Sequence, residues 1–416
     1  MMKRVFLIAI ILGLLAVPFG MAQAGEKVDE IRIGVVVPLS GIGATVGAQM
    51  KTGATIAADE INNQGGIKAL GGAKLKLVIG DTQAKPDVAA SEAERLIQRD
   101  NVQVIIGSYQ SAVTIVATEV AERYKTPWVV LASVADRITG RGFKYIFRPC
   151  NLAVYDAKEQ LEAIKALSQE TGKAPKTIGL FVEGTEWGKS HAQNVRTLLK
   201  NYGYDLVFDE AYTPGQADFS AQILKIRSKK PDLLIVAMFT PDHILFNKQY
   251  MENKLDLPFG LHSVGSGAED PAFYAATPPK AVEYMFVQED FQIDITDVQP
   301  WTQGVSKKAK EVLGYDLNAY VAQGYSNVYI IVDALERAAS ADKEKLREAL
   351  AKTNITSGPA LITGYNKIAF DATGQNVDSH GAISQNLNGK RTTVWPASNR
   401  PQGLKYVWPI PAWKDR

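Results

Sequence analysis

The chain is poor in the residues that build disulfides and metal centres. Its 416 residues include a single cysteine, Cys150, which excludes an internal disulfide and is most simply a small buried apolar residue. The four histidines are His191, His243, His262 and His380. No two of them stand at metal-ligand spacing, so we expect neither a metal site nor a cofactor.

Complete motifs for nucleotide binding or hydrolysis are also missing. The glycines of "PLSGIGATVG" (38–47) stand one residue out of register for a dinucleotide loop. In "EGTEWGKS" (183–190), Glu183 occupies the place of the first glycine of a phosphate-binding loop, and its charge would repel phosphate. No G-x-S-x-G nucleophile motif occurs, so the sequence favours a protein that is not an enzyme, with an exported hydrolase as an alternative.

Long apolar runs are absent except at the N-terminus. Lys3 and Arg4 precede an apolar stretch at 5–17, and residues 22–24 (AQA) have the form of a signal peptidase site. We therefore predict a signal peptide over 1–24 and a periplasmic location. An uncleaved anchor is the alternative, although the run is shorter than the ~20 residues that a span needs.

A strong net charge is missing as well. Without Lys3 and Arg4, the basic and acidic residues balance at 44 each. This balance argues against nucleic acid or an anionic membrane surface as the main partner. The remaining chain of about 392 residues is long enough for two domains.

What is present is an alternation of short apolar runs and amphipathic segments that occurs twice. Continuous apolar strands separated by helices are typical of a parallel sheet covered on both faces. The first set comprises strands at 31–37, 74–81, 102–108 and 127–133 and helices at 47–63, 87–99 and 111–124. The second set comprises strands at 177–183, 204–210, 231–239 and 258–263 and helices at 188–201, 217–229 and 242–254. The pattern predicts two similar doubly wound α/β lobes in tandem.

The regular alternation of strands and helices ends after residue 283. "EYMFVQED" (283–290) predicts a strand, and "KIAFDATGQN" (367–376) predicts a strand that enters a turn at Gly374. Helices are expected at 299–313, 319–340 and 342–353. The proline- and tryptophan-rich segment 394–413 is expected to lie extended over a surface.

Serines cluster where two strands of the first half end. Ser108 and Ser111 surround the end of the third strand, and Ser133 follows the fourth. Ligands of open α/β sheets bind at this edge, and a helix N-terminus there attracts an anion such as a carboxylate. Ordinary helix capping is the alternative interpretation of these serines.

Several longer motifs resemble one family, the periplasmic binding proteins of ABC importers, and more narrowly its leucine/isoleucine/valine-binding, type I bilobal class. The motifs are "IRIGVVVPLSGIGATVGAQMKTGATIAADEINNQGGI" (31–67), "VIIGSYQS" (104–111), "ASVADRIT" (132–139), "YIFRPC" (145–150) and "FDATG" (370–374). The resemblance covers nearly the whole chain and implies two parallel-sheet lobes joined by a three-segment hinge. The implied crossings lie near 146–152, 284–290 and 354–366. The implied lobes are 25–149 plus 288–355 and 150–287 plus 356–416.

The resemblance also implies a function. Lobes of this class close on a small ligand by a hinge motion, and an inner-membrane ABC permease recognises the closed form. We expect a monomeric solute-binding subunit that captures a carboxylate-bearing ligand and has no nucleic-acid partner. A ligand sensor of the same fold, working with a signalling partner, remains the alternative.

The family pattern assigns candidate site residues. Ser111 and the N–H groups around it would hold the ligand carboxylate, with Tyr109 on the same wall. Ala132 and Ser133 would offer backbone groups opposite. Trp187 and Phe239 take the places of family tyrosines and would enclose the apolar end of the ligand.

Three departures from the pattern concern the ligand's ammonium group. Val134 replaces a family threonine, Val46 replaces a family tyrosine, and residues 263–265 offer no counterpart to the family glutamate. A buried ammonium without a carboxylate partner costs several kcal/mol, so these changes favour an organic acid without an ammonium. An apolar amino acid remains the alternative ligand if Glu183, Glu269 or Asp270 supplies the negative charge that faces its ammonium group.

Overall fold

The computed structural model describes residues 28–291 and 294–416. The predicted signal peptide at 1–24 lies outside these residues. Within the described part of the chain, no helix combines the length and apolar character that crossing a membrane requires.

The first lobe is built on a five-stranded parallel sheet. Its strands are β1 (Glu30–Val37), β2 (Lys74–Asp81), β3 (Val104–Gly107), β4 (Trp128–Val129) and β5 (Ile146–Phe147), in the order β2-β1-β3-β4-β5. The helices between them are α1 (Ala44–Asn63), α2 (Pro86–Gln98) and α3 (Ser111–Arg123). The sequence forms buried strands here because "VIIG" and the end of β1 are uninterrupted apolar runs that helices cover.

The second lobe carries a seven-stranded sheet in the order β14-β13-β10-β9-β8-β6-β7. Its first segment runs α4 (Ala153–Thr171), β6 (Thr177–Glu183), α5 (Glu186–Leu199), β7 (Asp205–Tyr212), α6 (Ser220–Lys229), β8 (Leu233–Ala237), α7 (Thr240–Glu252), β9 (Leu261–Val264), α8 (Pro271–Ala276), α9 (Pro279–Val282) and β10 (Phe286–Glu289). Strands β6 to β10 pair in parallel, as the sequence predicts for a doubly wound lobe.

The remaining segments complete both lobes. They are α10 (Ile295–Val298), α11 (Gln303–Leu313), α12 (Ala319–Ala338), α13 (Lys343–Ala351), β11 (Asn354–Ile355), β12 (Ile368–Ala369), β13 (Ala382–Leu387) and β14 (Lys390–Trp395). Helix α12 returns to the first lobe and packs on α1, where Gly324 faces Gly53 and a Cβ on Gly324 would stand 2.1 Å from the Met50 carbonyl. Strands β13 and β14 form an antiparallel hairpin at the edge of the second sheet. The predicted fold class, two doubly wound α/β lobes, is confirmed.

The connections between the lobes differ in detail from the predicted boundaries. Strand β10 pairs with β9 and β13, so the second lobe extends through Glu289 and the predicted boundary at 287/288 falls inside a strand. Residues 359–361 pack on α12, and the Ser326 hydroxyl donates to the Ala360 carbonyl. The first part of the predicted crossing at 354–366 therefore remains with the first lobe.

The C-terminal segment is more deeply anchored than its sequence suggests. Trp408 is only 6% exposed, and its ring centre lies 5.0 Å from that of Phe259 and 5.4 Å from that of Phe286. The segment is interrupted by 3-10 turns at Ala397–Asn399 and Trp413–Asp415, and it contributes an aromatic residue to the core of the second lobe instead of only lying over its surface.

Candidate ligand-binding cleft

The carboxyl ends of strands from both sheets face one cleft of about 460 Å³. Six of the nine site residues expected from the sequence line it. They are Tyr109, Ser111, Ala132, Val134, Trp187 and Phe239. The topology explains this grouping, because the loops after parallel strands of both lobes meet at one edge.

Ser111 lies at the start of α3, and its hydroxyl group accepts a hydrogen bond but donates none to the described part of the chain. It is the first residue of the helix, is 2% exposed, and its Oγ accepts a hydrogen bond from the Ala135 N–H at 3.2 Å. The N-cap position belongs to Gln110, and no side chain caps this helix end. Ordinary capping therefore does not account for Ser111, and the first N–H groups of α3 remain available to an anion.

Three expected site residues lie outside the lining. The Ser133 hydroxyl is bonded to Thr114 Oγ1 and to the carbonyls of Ser108 and Tyr109. Val46 is fully buried in the core of the first lobe.

Glu183 is the third of these residues. Its carboxylate accepts the N–H groups of Thr185 and Gly188 at 2.6 Å each, at the start of α5. Its charge is therefore committed to a helix N-terminus rather than to a ligand.

A row of aromatic rings forms one wall of the cleft. Tyr109 lies between Phe239, at 5.9 Å between ring centres, and Tyr320, at 5.8 Å. Trp187 extends the row from Phe239 at 5.4 Å. Tyr320 and Gln323 come from α12 and were not among the predicted site residues, because several polar and aromatic residues of this helix are buried and nothing in the sequence marks the two that reach a distant cleft.

Carboxyl groups form another part of the lining. Asp156 from the first turn of α4, Glu269 after β9 and Asp290 after β10 all face the cleft. Burial raises the pKa of Asp290 to about 6 and raises the pKa values of Asp156 and Glu269. Asp290 could have been found from sequence, because it is the last residue of the predicted strand 283–290 and so lies at the edge where ligands bind.

Direct hydrogen bonds join the lobes beside the cleft. Asp270, at the start of α8, accepts from Thr45 Oγ1 at 2.7 Å and from Gln49 Nε2 at 2.9 Å, both on α1. On the other side, Asn194 Nδ2 donates to Asp136 Oδ2 at 2.5 Å. The lobes are therefore closed on each other in this structure.

No metal site accompanies the cleft in the described ranges. Within 28–291 and 294–416, no three or more His, Cys, Asp and Glu side chains are grouped so that they could hold a metal ion.

The fold and the cleft together define a bilobed α/β binding protein that encloses a small ligand between its lobes. The chain belongs to the periplasmic binding protein family, whose sequence model matches residues 30–388. This membership agrees with the resemblance seen in the sequence motifs.

Individual relatives extend the comparison. The chain is 29% identical over 391 residues to Leu/Ile/Val-binding protein homolog 7 of Brucella abortus (strain 2308), which covers 90% of this chain and 94% of the relative. The chain is also similar to the leucine binding protein LivK of Thermotoga maritima, with 25% sequence identity and a TM-score of 0.74. This match covers 87% of this chain and 97% of LivK.

A third relative has a different ligand. An ABC-transporter solute binding protein of Rhodopseudomonas palustris BisB5 in complex with 3,4-dihydroxybenzoic acid shares the fold at a TM-score of 0.74, with 20% identity and coverage of 88% and 95%. Proteins of this fold thus include one named for binding leucine and one whose structure is in complex with an aromatic acid.

Proposed function

We propose that this protein captures a small carboxylate-bearing solute in the periplasm and delivers it to the inner-membrane permease of an ABC importer. The observation that carries the proposal is the uncapped N-terminus of α3, with the Ser111 hydroxyl inside a cleft closed between two lobes. The family, the leucine-binding relative and the aromatic-acid complex support this function.

The cleft suggests a division of roles. Ser111 and the first N–H groups of α3 bind the carboxylate, because free donors and the helix dipole favour an anion there. Tyr109, Trp187 and Phe239 cover the apolar part of the ligand. Ala132 lines the opposite side; its N–H already donates to the Ser108 carbonyl at 3.2 Å, so its carbonyl is the backbone group that it can offer to a ligand.

Replacing Ser111 by alanine tests the carboxylate end. A hydrogen bond to a charged group contributes about 1.5–3 kcal/mol, so the dissociation constant should rise by roughly 10- to 150-fold. Calorimetric titration with leucine, isoleucine, benzoate and 3,4-dihydroxybenzoate measures this dissociation constant. Ser220→Ala, at the first residue of α6, is the matched control and should leave affinity unchanged. A change within twofold for Ser111→Ala would contradict the assignment.

Replacing Trp187 by phenylalanine tests the aromatic wall. Of the six tryptophans in the chain, Trp187 lines the cleft, so its emission should change when a ligand covers it. Trp187→Phe should remove most of the ligand-induced fluorescence change while retaining measurable binding. Trp301→Phe, at an exposed site, serves as the control. An undiminished response in Trp187→Phe would place the ligand elsewhere.

The alternatives have less support in the cleft. The hydrolase alternative needs a base hydrogen-bonded to Ser111, whereas Ser111 Oγ accepts from the Ala135 N–H and is bonded to none of the cleft carboxyl groups in the described chain. A sensor of the same fold would bind its ligand through the same residues. Loss of uptake on deleting the permease would support the importer, whereas unchanged uptake would favour the sensor.

A further inference from the structure

Arg148 is a buried cation whose hydrogen-bond partners are all neutral. Its side chain is 0% exposed and lies in the connection between β5 of the first lobe and α4 of the second. The guanidinium donates to Gln375 Oε1 at 2.6 Å and to Thr139 Oγ1 at 2.8 Å. It also donates to the carbonyls of Ser133 at 3.2 Å and Ala135 at 2.7 Å. Burying a charge among neutral acceptors is costly, so stability alone does not explain this residue.

Two of the four acceptors belong to a loop of the cleft. Residues 133–135 follow β4, and Val134 at their centre lines the cleft. The Ala135 N–H donates to Ser111 Oγ at 3.2 Å, so the loop is in contact with the start of α3. Arg148 therefore holds this loop by the carbonyls on both sides of Val134.

The bond to Ser133 fixes the direction in which one peptide group faces. The peptide between Ser133 and Val134 is trans, so its carbonyl and its N–H point in opposite directions. The carbonyl faces Arg148, and Cys150 Sγ lies 3.9 Å from the same oxygen. The Val134 N–H is therefore directed away from Arg148, and it has no hydrogen-bond partner in the described part of the chain. Because Val134 lines the cleft, a ligand there can supply the missing acceptor.

Arg148 also contacts a second connection between the lobes, the segment that leads from β12 to β13. The Arg148 N–H donates to the Gly374 carbonyl at 2.7 Å, and the Asn376 N–H donates to the Arg148 carbonyl at 2.9 Å. Gln375, between these two residues, accepts from the guanidinium. One side chain thus joins a cleft loop to two of the connections about which the lobes hinge.

We propose that Arg148 is a positioning residue for ligand binding, which orients the Ser133–Val134 peptide so that the Val134 N–H faces the ligand and which links that peptide to the hinge. The contact with a ligand rests on the proposed function, whereas the orientation of the peptide rests on the hydrogen bonds of Arg148. Lysine cannot replace it, because only a guanidinium offers five donors in a planar fork.

Arg148→Lys tests the orientation without any ligand. In protein labelled with ¹⁵N-valine, the Val134 amide signal is assigned by its loss in Val134→Ile. The parent protein should give one sharp signal, whereas Arg148→Lys should broaden or split it, because the peptide is free to turn. Arg141→Lys is the matched control, since Arg141 also donates to carbonyls of the first lobe, at Ile115 and Ile138, but to none at 133–135. A Val134 signal that is unchanged in Arg148→Lys would overturn the proposal.

Thr139→Val is a milder variant for the case in which Arg148→Lys does not fold. It removes one of the four acceptors of the guanidinium at a position outside the cleft lining. It should disturb the Val134 signal in the same direction and to a smaller extent. An unaltered signal in folded Thr139→Val would contradict the positioning role.

Ligand affinity is the second readout. For each of leucine, isoleucine, benzoate and 3,4-dihydroxybenzoate that binds the parent protein, Arg148→Lys should raise the dissociation constant roughly tenfold, because a hydrogen bond to the ligand is lost. Arg141→Lys should stay within twofold of the parent, although both variants lower the melting temperature. Equal losses of affinity in the two variants would make Arg148 a merely stabilising residue and overturn the proposal.

The variants also separate this proposal from the proposed function. If Ser111→Ala weakens binding and Arg148→Lys does not, the positioning role fails and the carboxylate assignment stands. If Ser111→Ala leaves binding unchanged while Arg148→Lys weakens it and disturbs the Val134 signal, the carboxylate assignment fails and the positioning role stands.

Discussion

Replacing Asp270 by alanine is expected to weaken ligand binding about 100-fold, although Asp270 does not line the cleft. Its carboxylate joins the lobes through hydrogen bonds from Thr45 and Gln49 of α1, and it also accepts from Thr240 within its own lobe. Hydrogen bonds to a charged group contribute about 1.5–3 kcal/mol each, so losing the two interlobe bonds shifts the protein towards an open form. Apparent affinity falls with the fraction of closed protein.

Variants on the opposite lobe separate this closure effect from damage to α8, because Asp270 also caps that helix by accepting from the Ala272 N–H. The double variant Thr45→Val, Gln49→Leu removes the same interlobe bonds and leaves the cap intact. It should weaken binding in the same direction, and small-angle scattering should show a larger radius of gyration at equal ligand saturation. Thr55→Val, exposed on the same helix, is the control. Affinity within threefold of the parent protein in the double variant would contradict this role.

The sequence predicted the lobes well because their strands are buried on both faces. Segments 31–37 and 177–183 agree with β1 and β6 to within one residue, since uninterrupted apolar runs bounded by proline or charge leave little choice of register. Helix α4 and the β13–β14 hairpin were missed. The strands of the hairpin contain polar residues such as Gln385 and Asn386, whose burial depends on neighbours far away in sequence.

The cleft was only partly predictable, for a similar reason. Ser111, Ala132 and Phe239 lie two to four residues after the ends of strands, so the rule that ligands bind at carboxyl ends of strands finds them. Tyr320 and Gln323 reach the cleft only because α12 returns to pack on α1.

Glu269 was expected only as an alternative, because local geometry separates it from the matched positions 263–265. Gly265 has φ +41°, and a short 3-10 turn at Ser266–Ala268 follows it. This turn brings Glu269 back to the cleft lining several residues after the end of β9. A residue-by-residue match to a family motif does not register such a turn.

The unliganded protein is expected to lose stability as the pH rises from 5 to 8. Burial raises the pKa of Glu159 to about 8 and that of Asp290 to about 6, against ordinary values of 4.5 and 3.8. A carboxyl group whose pKa is raised by folding stabilises the fold while it is protonated, and that stability is lost as the pH passes its folded pKa. At about 1.36 kcal/mol per pH unit for one proton, Glu159 alone implies a loss on the order of 3 kcal/mol.

The groups around these two carboxyls do not reverse the sign. Asp156 on α4 and Glu269 after β9 are buried acids whose pKa values are also raised. The positive charges nearby are Arg148, bonded to neutral groups, and Arg391, paired with Glu289. For about 390 residues, an unfolding entropy of about 0.8 kcal/mol/K converts this loss into a fall in melting temperature of roughly 4 °C between pH 5 and pH 8.

Thermal unfolding at pH 5, 6.5 and 8 measures this loss in the parent protein and in Asp290→Asn and Glu159→Gln. Each variant removes one titrating group, so each should flatten the decline, whereas Glu252→Gln should follow the parent curve. A melting temperature that stays constant or rises between pH 5 and 8 in the unliganded protein would show that these carboxyl groups do not titrate as their burial requires.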